Sequence, residues 1–352
     1  MKNIILLLFF STLIMGQNLE QKIDSIFQEF IGNSSGAAVG VFKDGKIIFS
    51  KGYGFADLQN KIKITPKTNF RLASVTKQFT SASILILAQR NLLKTDDPVI
   101  KYFPCLNYLG ENVTIKNLLT HTSGIIDYED FMPSDQNEQL KDKDVLKILC
   151  ENDSTYFVAG SNYRYSNSAY ALLSLIVEKL SGLSFADFLN LNIFKPLSMN
   201  NTIAYEKGIS EIVNRAFGYA IIDGKIEFAD QSLTSAVLGD GGIYSSVEDM
   251  FLWDQSLYEN KILSSGNLNL SFFRHTKAET DSSYYGFGWR LDDFMNLKRI
   301  YHTGSTCGFS NVFMRFPDKN LSVVVLMNQR DLPALEYGNQ IAGFILNNLS
   351  NY

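Results

Sequence analysis

Cysteine is scarce in this chain of 352 residues: Cys105, Cys150 and Cys307 are all it has. Three cannot form a disulfide framework. In an oxidising compartment Cys105 and Cys150 could bridge, and three free thiols fit the sequence equally well. Histidine is as rare, with His121, His275 and His302. No His-x-x-x-His or Cys-x-x-Cys pair occurs, so the ligand spacing of a zinc site is missing. No metal and no cofactor are therefore expected. A formal net charge of −4 without a Lys/Arg cluster argues against a nucleic-acid partner. Repeats, low-complexity segments and linkers are also absent.

The one long apolar run lies at the start. Lys2 precedes Ile4 to Met15, then Gly16 and Gln17. A basic start, a short apolar stretch and a small residue form the pattern of a secretory signal peptide, residues 1–16, cleaved after Gly16. The run falls short of the about 20 residues that cross a bilayer. No cysteine follows it to carry a lipid. A secreted or periplasmic protein with no membrane span after cleavage is expected. At 45% hydrophobic and 13% aromatic residues, the rest can bury a substantial core, in one large domain or two closely connected ones.

Apolar residues at helical spacing (Ile23, Ile26, Phe27, Phe30) open the mature chain. Strand-like runs Ala37–Phe42 and Lys46–Tyr53 follow, joined by the hairpin signal Asp44-Gly45. Val75 to Leu93 is apolar on most faces, the pattern of a buried helix. A helix from Asn167 to Leu180 stops at Gly182, and Ser246 caps another to Tyr258. Strands return at Tyr284–Leu291, Lys298–Thr303, Asn311–Phe316 and Leu321–Asn328, with turns at Asp292-Asp293 and Pro317-Asp318, before a last helix from Pro333 to Leu349. This order predicts an α+β fold: an antiparallel sheet of five or more strands, flanked by N- and C-terminal helices, with a mostly helical lobe inserted. The sheet lobe takes residues 17–75 and 283–352, the helical lobe 76–282, and a site is expected at their junction.

A serine hydroxyl needs help to act as a nucleophile. One arrangement that helps it, Gly-x-Ser-x-Gly, occurs at Gly32–Gly36, but a helix precedes it and a strand follows, the reverse of what a nucleophile elbow requires. It reads as a loop. The other is Ser-x-x-Lys opening a buried helix. Ser74-Val75-Thr76-Lys77 is the only place where lysine follows serine by three, and that spacing puts both side chains on one helix face. A desolvated lysine can accept the serine proton, or as a cation ease ionisation of a neighbouring phenol. The plainer reading is a capping serine and a lysine reaching for water. Two further motifs bear on the choice. In Tyr165-Ser166-Asn167, alternate residues of an extended segment point the same way. In His302-Thr303-Gly304, glycine at a strand end lets a substrate backbone approach and pair.

Ser-x-x-Lys, Tyr-x-Asn and His-Thr-Gly, in that order, resemble the serine β-lactamase and penicillin-binding-protein superfamily, closest to its class C β-lactamase, DD-carboxypeptidase and esterase branch. Leu118–Gly124, Gly241–Ser246 and Tyr285–Trp289 extend the resemblance over nearly the whole mature chain. The resemblance implies that Ser74 is acylated, with Lys77 as its partner and Tyr165 carrying the proton to the leaving group. Asn167 would hold the substrate's amide, and the N–H groups of Ser74 and Ser305 would form an oxyanion hole. It places His121 in a structural loop. The expected partner is a small-molecule or peptide substrate: a peptidoglycan stem peptide, an ester or a β-lactam. Where many β-lactamases of this superfamily carry lysine this chain has His302, mostly neutral at pH 7, which favours peptides and esters. Arg290, on the preceding strand, is the candidate for meeting a substrate carboxylate, its alternative being a pair with Asp292 or Asp293. A non-catalytic penicillin-binding or sensor domain is the competing reading.

Overall fold

The computed structural model describes residues 18–349 apart from 31 and 33; the expected signal peptide lies outside the described residues. A helix at 18–26 leads into β1 (Ala37–Lys43) and β2 (Lys46–Tyr53). Asp44 and Gly45 join them at φ of 50° and 75°, the left-handed pair that a tight hairpin demands. Near the C-terminus come β3 (Thr276–Lys277), β4 (Tyr284–Tyr285), β5 (Arg290–Phe294), β6 (Leu297–Thr306), β7 (Phe309–Phe316) and β8 (Leu321–Met327). They form one antiparallel eight-stranded sheet in the order β3-β4-β5-β6-β7-β8-β1-β2, so the first hairpin docks beside the last strand.

The middle strands read as unbroken apolar runs because both faces are buried. On β1, Ala37, Val39 and Val41 join a core under the N-terminal helix and the C-terminal helix Ala334–Asn347, with Ile23, Phe27, Ile341 and Ile345. Ala38 and Phe42 point the other way, into the larger core of the helical region. That region is built around α1 (Lys77–Gln89), buried from Lys77 to Leu87 without a break, and α2 (Asn167–Ser181), which ends on Gly182 at φ 71°. The capping serine expected at Ser246 accepts from Asp249 N at 3.2 Å and starts a helix at Val247.

Two local readings need correction. Asp292 and Asp293 lie within β5, and the turn comes later, at Met295 and Asn296 with φ of 52° and 60°. Asp292 is held in the strand by its pair with Arg299 and Asp293 by its pair with Arg274. The run Tyr284–Leu291 is broken at Gly288, whose φ of 77° interrupts the ladder between β4 and β5. Cys105 and Cys150 are disulfide-bonded with Cα atoms 5.4 Å apart, and Cys307 is free.

Candidate active site

Ser74 stands at a sharp turn. Phe70–Arg71 is a short strand paired with Ile243–Ser245. Leu72 N then bonds Ile243 O, Ala73 takes a φ of 51°, and a 3-10 turn Ala73–Thr76 runs into α1. A positive φ is costly for a residue with a side chain and marks a position the surroundings hold in place. The turn leaves the Ser74 side chain half-exposed while Val75 and Thr76 are buried. Ser74 thus does not cap α1; it projects from the strand-to-helix corner. Ser34 and Ser35 lie in a loop before β1, and the Ser35 hydroxyl donates to Gln329.

Lys77, fully buried, turns back toward the corner. Its Nζ donates to Ser74 Oγ at 3.2 Å, Asn167 Oδ1 at 2.9 Å and the main-chain O of Asp240 at 2.9 Å. The same Nζ lies 4.8 Å from the Tyr165 ring centroid and 5.3 Å from that of Tyr170. The Tyr165 hydroxyl is buried with no hydrogen-bond partner. Asn167 is held at both ends: its Oδ1 accepts from Lys77 and its Nδ2 donates to Glu129 at 3.1 Å. One Nδ2 hydrogen stays available for a substrate.

His121 organises the tyrosine from behind. It is fully buried, with φ 58°. Its Nδ1 accepts from Ser166 N at 3.1 Å, and its ring lies 4.3 Å from that of Tyr165. Burial holds its pKa well below the usual histidine range, with the Lys77 charge adding to the effect. It is therefore a neutral support for the Tyr165–Asn167 segment.

His302 is equally buried. Its Nδ1 lies 2.6 Å from Thr303 O, an acceptor only, so Nδ1 carries the proton, and Nε2 accepts from Tyr285 Oη at 2.8 Å. Burial first, then the Arg290 charge, hold its pKa well below the usual range. A neutral His302 fits both contacts.

The ladder between β5 and β6 ends at the Arg290–Tyr301 pair. From His302 to Thr306, β6 pairs only with β7, which leaves one edge without a strand. Gly304 fits against the corner: a Cβ there would lie 2.2 Å from Leu72 O and 3.1 Å from Ser74 N. Any side chain would push the strand from the Ser74 amide. Thr303 is half-buried and Ser305 exposed beyond it.

Arg290 does not form the pair with Asp292 or Asp293 that was its alternative reading. Its Nη1 pairs with Glu279 at 2.5 Å, and Asp292 and Asp293 serve other arginines. Its Cζ lies 5.5 Å from the Tyr165 ring, beside the tyrosine and outside the wall of the cavity at Ser74.

That cavity, about 330 Å³, is walled by Ser74, Asn167, Glu129, Asp240, Ser305 and Cys307, with Arg71, Thr234 and Arg330 among the rest. A larger depression of about 580 Å³ near Lys141 and Glu178 holds no activated nucleophile. The sequence reading missed Glu129, Asp240, Arg71 and Arg330. Asp127-Tyr128-Glu129 follows the Leu118–Gly124 phrase after Ile125 and Ile126, and Asp240 directly precedes Gly241–Ser246; neighbourhood to those phrases was the available signal. Burial raises the Asp240 pKa to about 7, against the pull of Lys77.

A strand-to-helix serine bonded to a buried lysine, faced by a tyrosine and an unpaired strand edge, has counterparts among known proteins. The chain matches the Beta-lactamase family over residues 23–344. It belongs to that family. It is 30% identical over 334 residues to Penicillin-binding protein 4* of Bacillus subtilis, covering 90% of this chain and 73% of that one. To Protein flp of Staphylococcus aureus it is 31% identical over 328 residues, which is 88% of this chain and 63% of that one, so it spans less than two thirds of flp. The octameric penicillin-binding protein homologue from Pyrococcus abyssi superposes with a TM-score of 0.84 at 26% identity, over 94% of this chain and 77% of that one. The protein is a serine hydrolase of the β-lactamase and penicillin-binding-protein type.

Proposed function

We propose that the protein is a secreted or periplasmic hydrolase that acts through an acyl-enzyme on Ser74, with DD-peptidase-like or esterase-like specificity. The observation that carries this reading is the bond from buried Lys77 to Ser74 Oγ, 3.2 Å long, at a cavity mouth. In acylation Ser74 Oγ bonds to the substrate's acyl carbon, and its proton passes to the Tyr165–Lys77 pair. Tyr165, whose oxygen has no hydrogen-bond partner among the described residues, delivers that proton to the leaving group as the scissile bond breaks. The developing oxyanion is received by the N–H groups of Ser74 and Ser305, each such donor being worth about 2.7–4 kcal/mol of barrier. Water, deprotonated by the same pair, then attacks the acyl carbon; the bond to Ser74 Oγ breaks, and that oxygen takes the proton drawn from water.

The substrate ranking follows from His302. A fixed cation at the strand end would suit the carboxylate of a β-lactam, and a neutral imidazole held by Tyr285 and Thr303 supplies none. A relative named as a penicillin-binding protein supports a serine hydrolase of this type. The test compares a D-alanyl-D-alanine peptide, a neutral ester and a penicillin on the purified protein. Peptide or ester turnover well above penicillin turnover is expected. Efficient penicillin hydrolysis with rapid deacylation reverses the ranking.

A further inference from the structure

Arg71 is a buried cation in the cavity wall. It is 2% exposed. Its Nη2 donates to Ser235 O at 2.9 Å, while Nε and Nη1 are buried without a partner. Among the described residues no carboxylate forms an ion pair with it. Tyr244 lies beside it, with its ring centroid 5.9 Å from Cζ and its hydroxyl close enough to feel the charge. Burying a guanidinium with unmatched N–H groups is expensive, and proteins accept that cost where a ligand supplies the match. Arg330, exposed on the same wall, has only a 3.9 Å contact to Asp331, too loose and wet to neutralise it.

The position of these arginines decides what they would meet. The cavity wall takes in Asn167 and residues 305–307 but neither Tyr165 nor His302. On the acyl-enzyme reading, Tyr165 faces the leaving group, so the cavity receives the acyl arm. Within it the acids are already answered: Glu129 by Asn167, and Asp240 by Tyr128. Arg71 acts on Asp240 only through its charge, without an ion pair, and is tied through Ser235 to Cys307, whose Sγ is 3.6 Å from Ser235 Oγ.

We propose that this end of the cavity is a carboxylate-binding subsite, built by Arg71 with Arg330, that selects acyl arms bearing a free carboxylate. A guanidinium N–H and a carboxylate form a charge-assisted hydrogen bond, roughly twice as strong as a neutral one. The inference rests on the acyl-enzyme reading above.

The test uses two thioesters with one thiol leaving group, N-succinyl-D-alanyl and its neutral isostere N-succinamoyl-D-alanyl. The wild type is expected to favour the carboxylate by at least about tenfold in kcat/KM, carried mainly by KM, the scale of a charge-assisted bond. Arg330→Ala and Arg71→Met should each bring that ratio toward one. Arg330 is exposed, so its variant remains informative even if Arg71→Met fails to fold. Equal rates on the two substrates, or a preference for the amide, would overturn the subsite while leaving the hydrolase intact. Failure of a fluorophosphonate to label Ser74 would overturn the acyl-enzyme reading and the subsite together.

Discussion

At the scale of single residues, the site depends on a lysine that has exchanged water for three protein oxygens. Replacing Lys77 with alanine removes the donor to Ser74 Oγ and frees Asn167, and Tyr165→Phe removes the one unpartnered hydroxyl beside them. Each change should lower kcat/KM at least about a hundredfold, the usual scale for acid–base groups. A much smaller loss for Tyr165→Phe would hand the proton to water. Asp240 gives a prediction with a sign. Its folded pKa, about 7, lies above the unfolded value near 3.9. The folded state therefore holds a proton that the unfolded state releases between roughly pH 4 and 7, and stability from this group declines as pH rises through that window. Asp240→Asn cannot titrate but keeps the main-chain oxygen that Lys77 uses. Its melting temperature relative to wild type should climb from pH 4 to pH 8. A constant difference across that range would contradict a buried, titrating Asp240.

At the scale of elements, the site is a corner and an edge pressed together. The corner is the turn through Ala73, and the edge is β6 from His302 onward. Gly304 is the point of contact, and Gly304→Val would require a Cβ 2.2 Å from Leu72 O. The strand must then shift. A displacement of about 1 Å can cost a hundredfold in rate, and overpacking about 1–3 kcal/mol in stability. We expect a folded protein with a lowered melting temperature and at least about a hundredfold slower labelling of Ser74 by a fluorophosphonate. Normal labelling would mean that the strand does not set the geometry of the Ser74 amide. Much of this was legible in the chain. Ser74 and Lys77 share a helix face by spacing alone, and Asp44-Gly45 announces its hairpin. The corner was not legible, because alanine carries no signal for a positive φ; tertiary contacts impose it. Nor was the turn at Met295-Asn296, since Asp292 and Asp293 look like turn residues until Arg299 and Arg274 hold them in a strand.

For the whole molecule, the chain's two ends form the sheet and its middle supplies most of the helices, so residues more than two hundred apart in sequence meet at Ser74. That is why Arg71 and Arg330 gave no sequence signal as a pair. The Cys105–Cys150 bridge closes a loop in the helical region away from the cavity. Reduction should destabilise the fold by the about 2–4 kcal/mol typical of such links, lowering the melting temperature, and leave turnover at 25 °C nearly unchanged. Cys307 lines the cavity, so a bulky maleimide should block turnover while the small Cys307→Ala change is tolerated. Loss of activity in Cys307→Ala would give the thiol a chemical part. A chelator should have no effect on a serine mechanism.

The claim beneath all of these is that Ser74 is the acylated residue. Intact-protein mass spectrometry with peptide mapping, after exposure to a fluorophosphonate, tests it most directly when run on wild type and Ser74→Ala side by side. The account predicts a single adduct on the peptide containing Ser74, suppressed by an ester substrate and absent from the variant, together with loss of turnover in that variant. An adduct that maps to another serine, or a Ser74→Ala protein that keeps a tenth of wild-type activity, would contradict it.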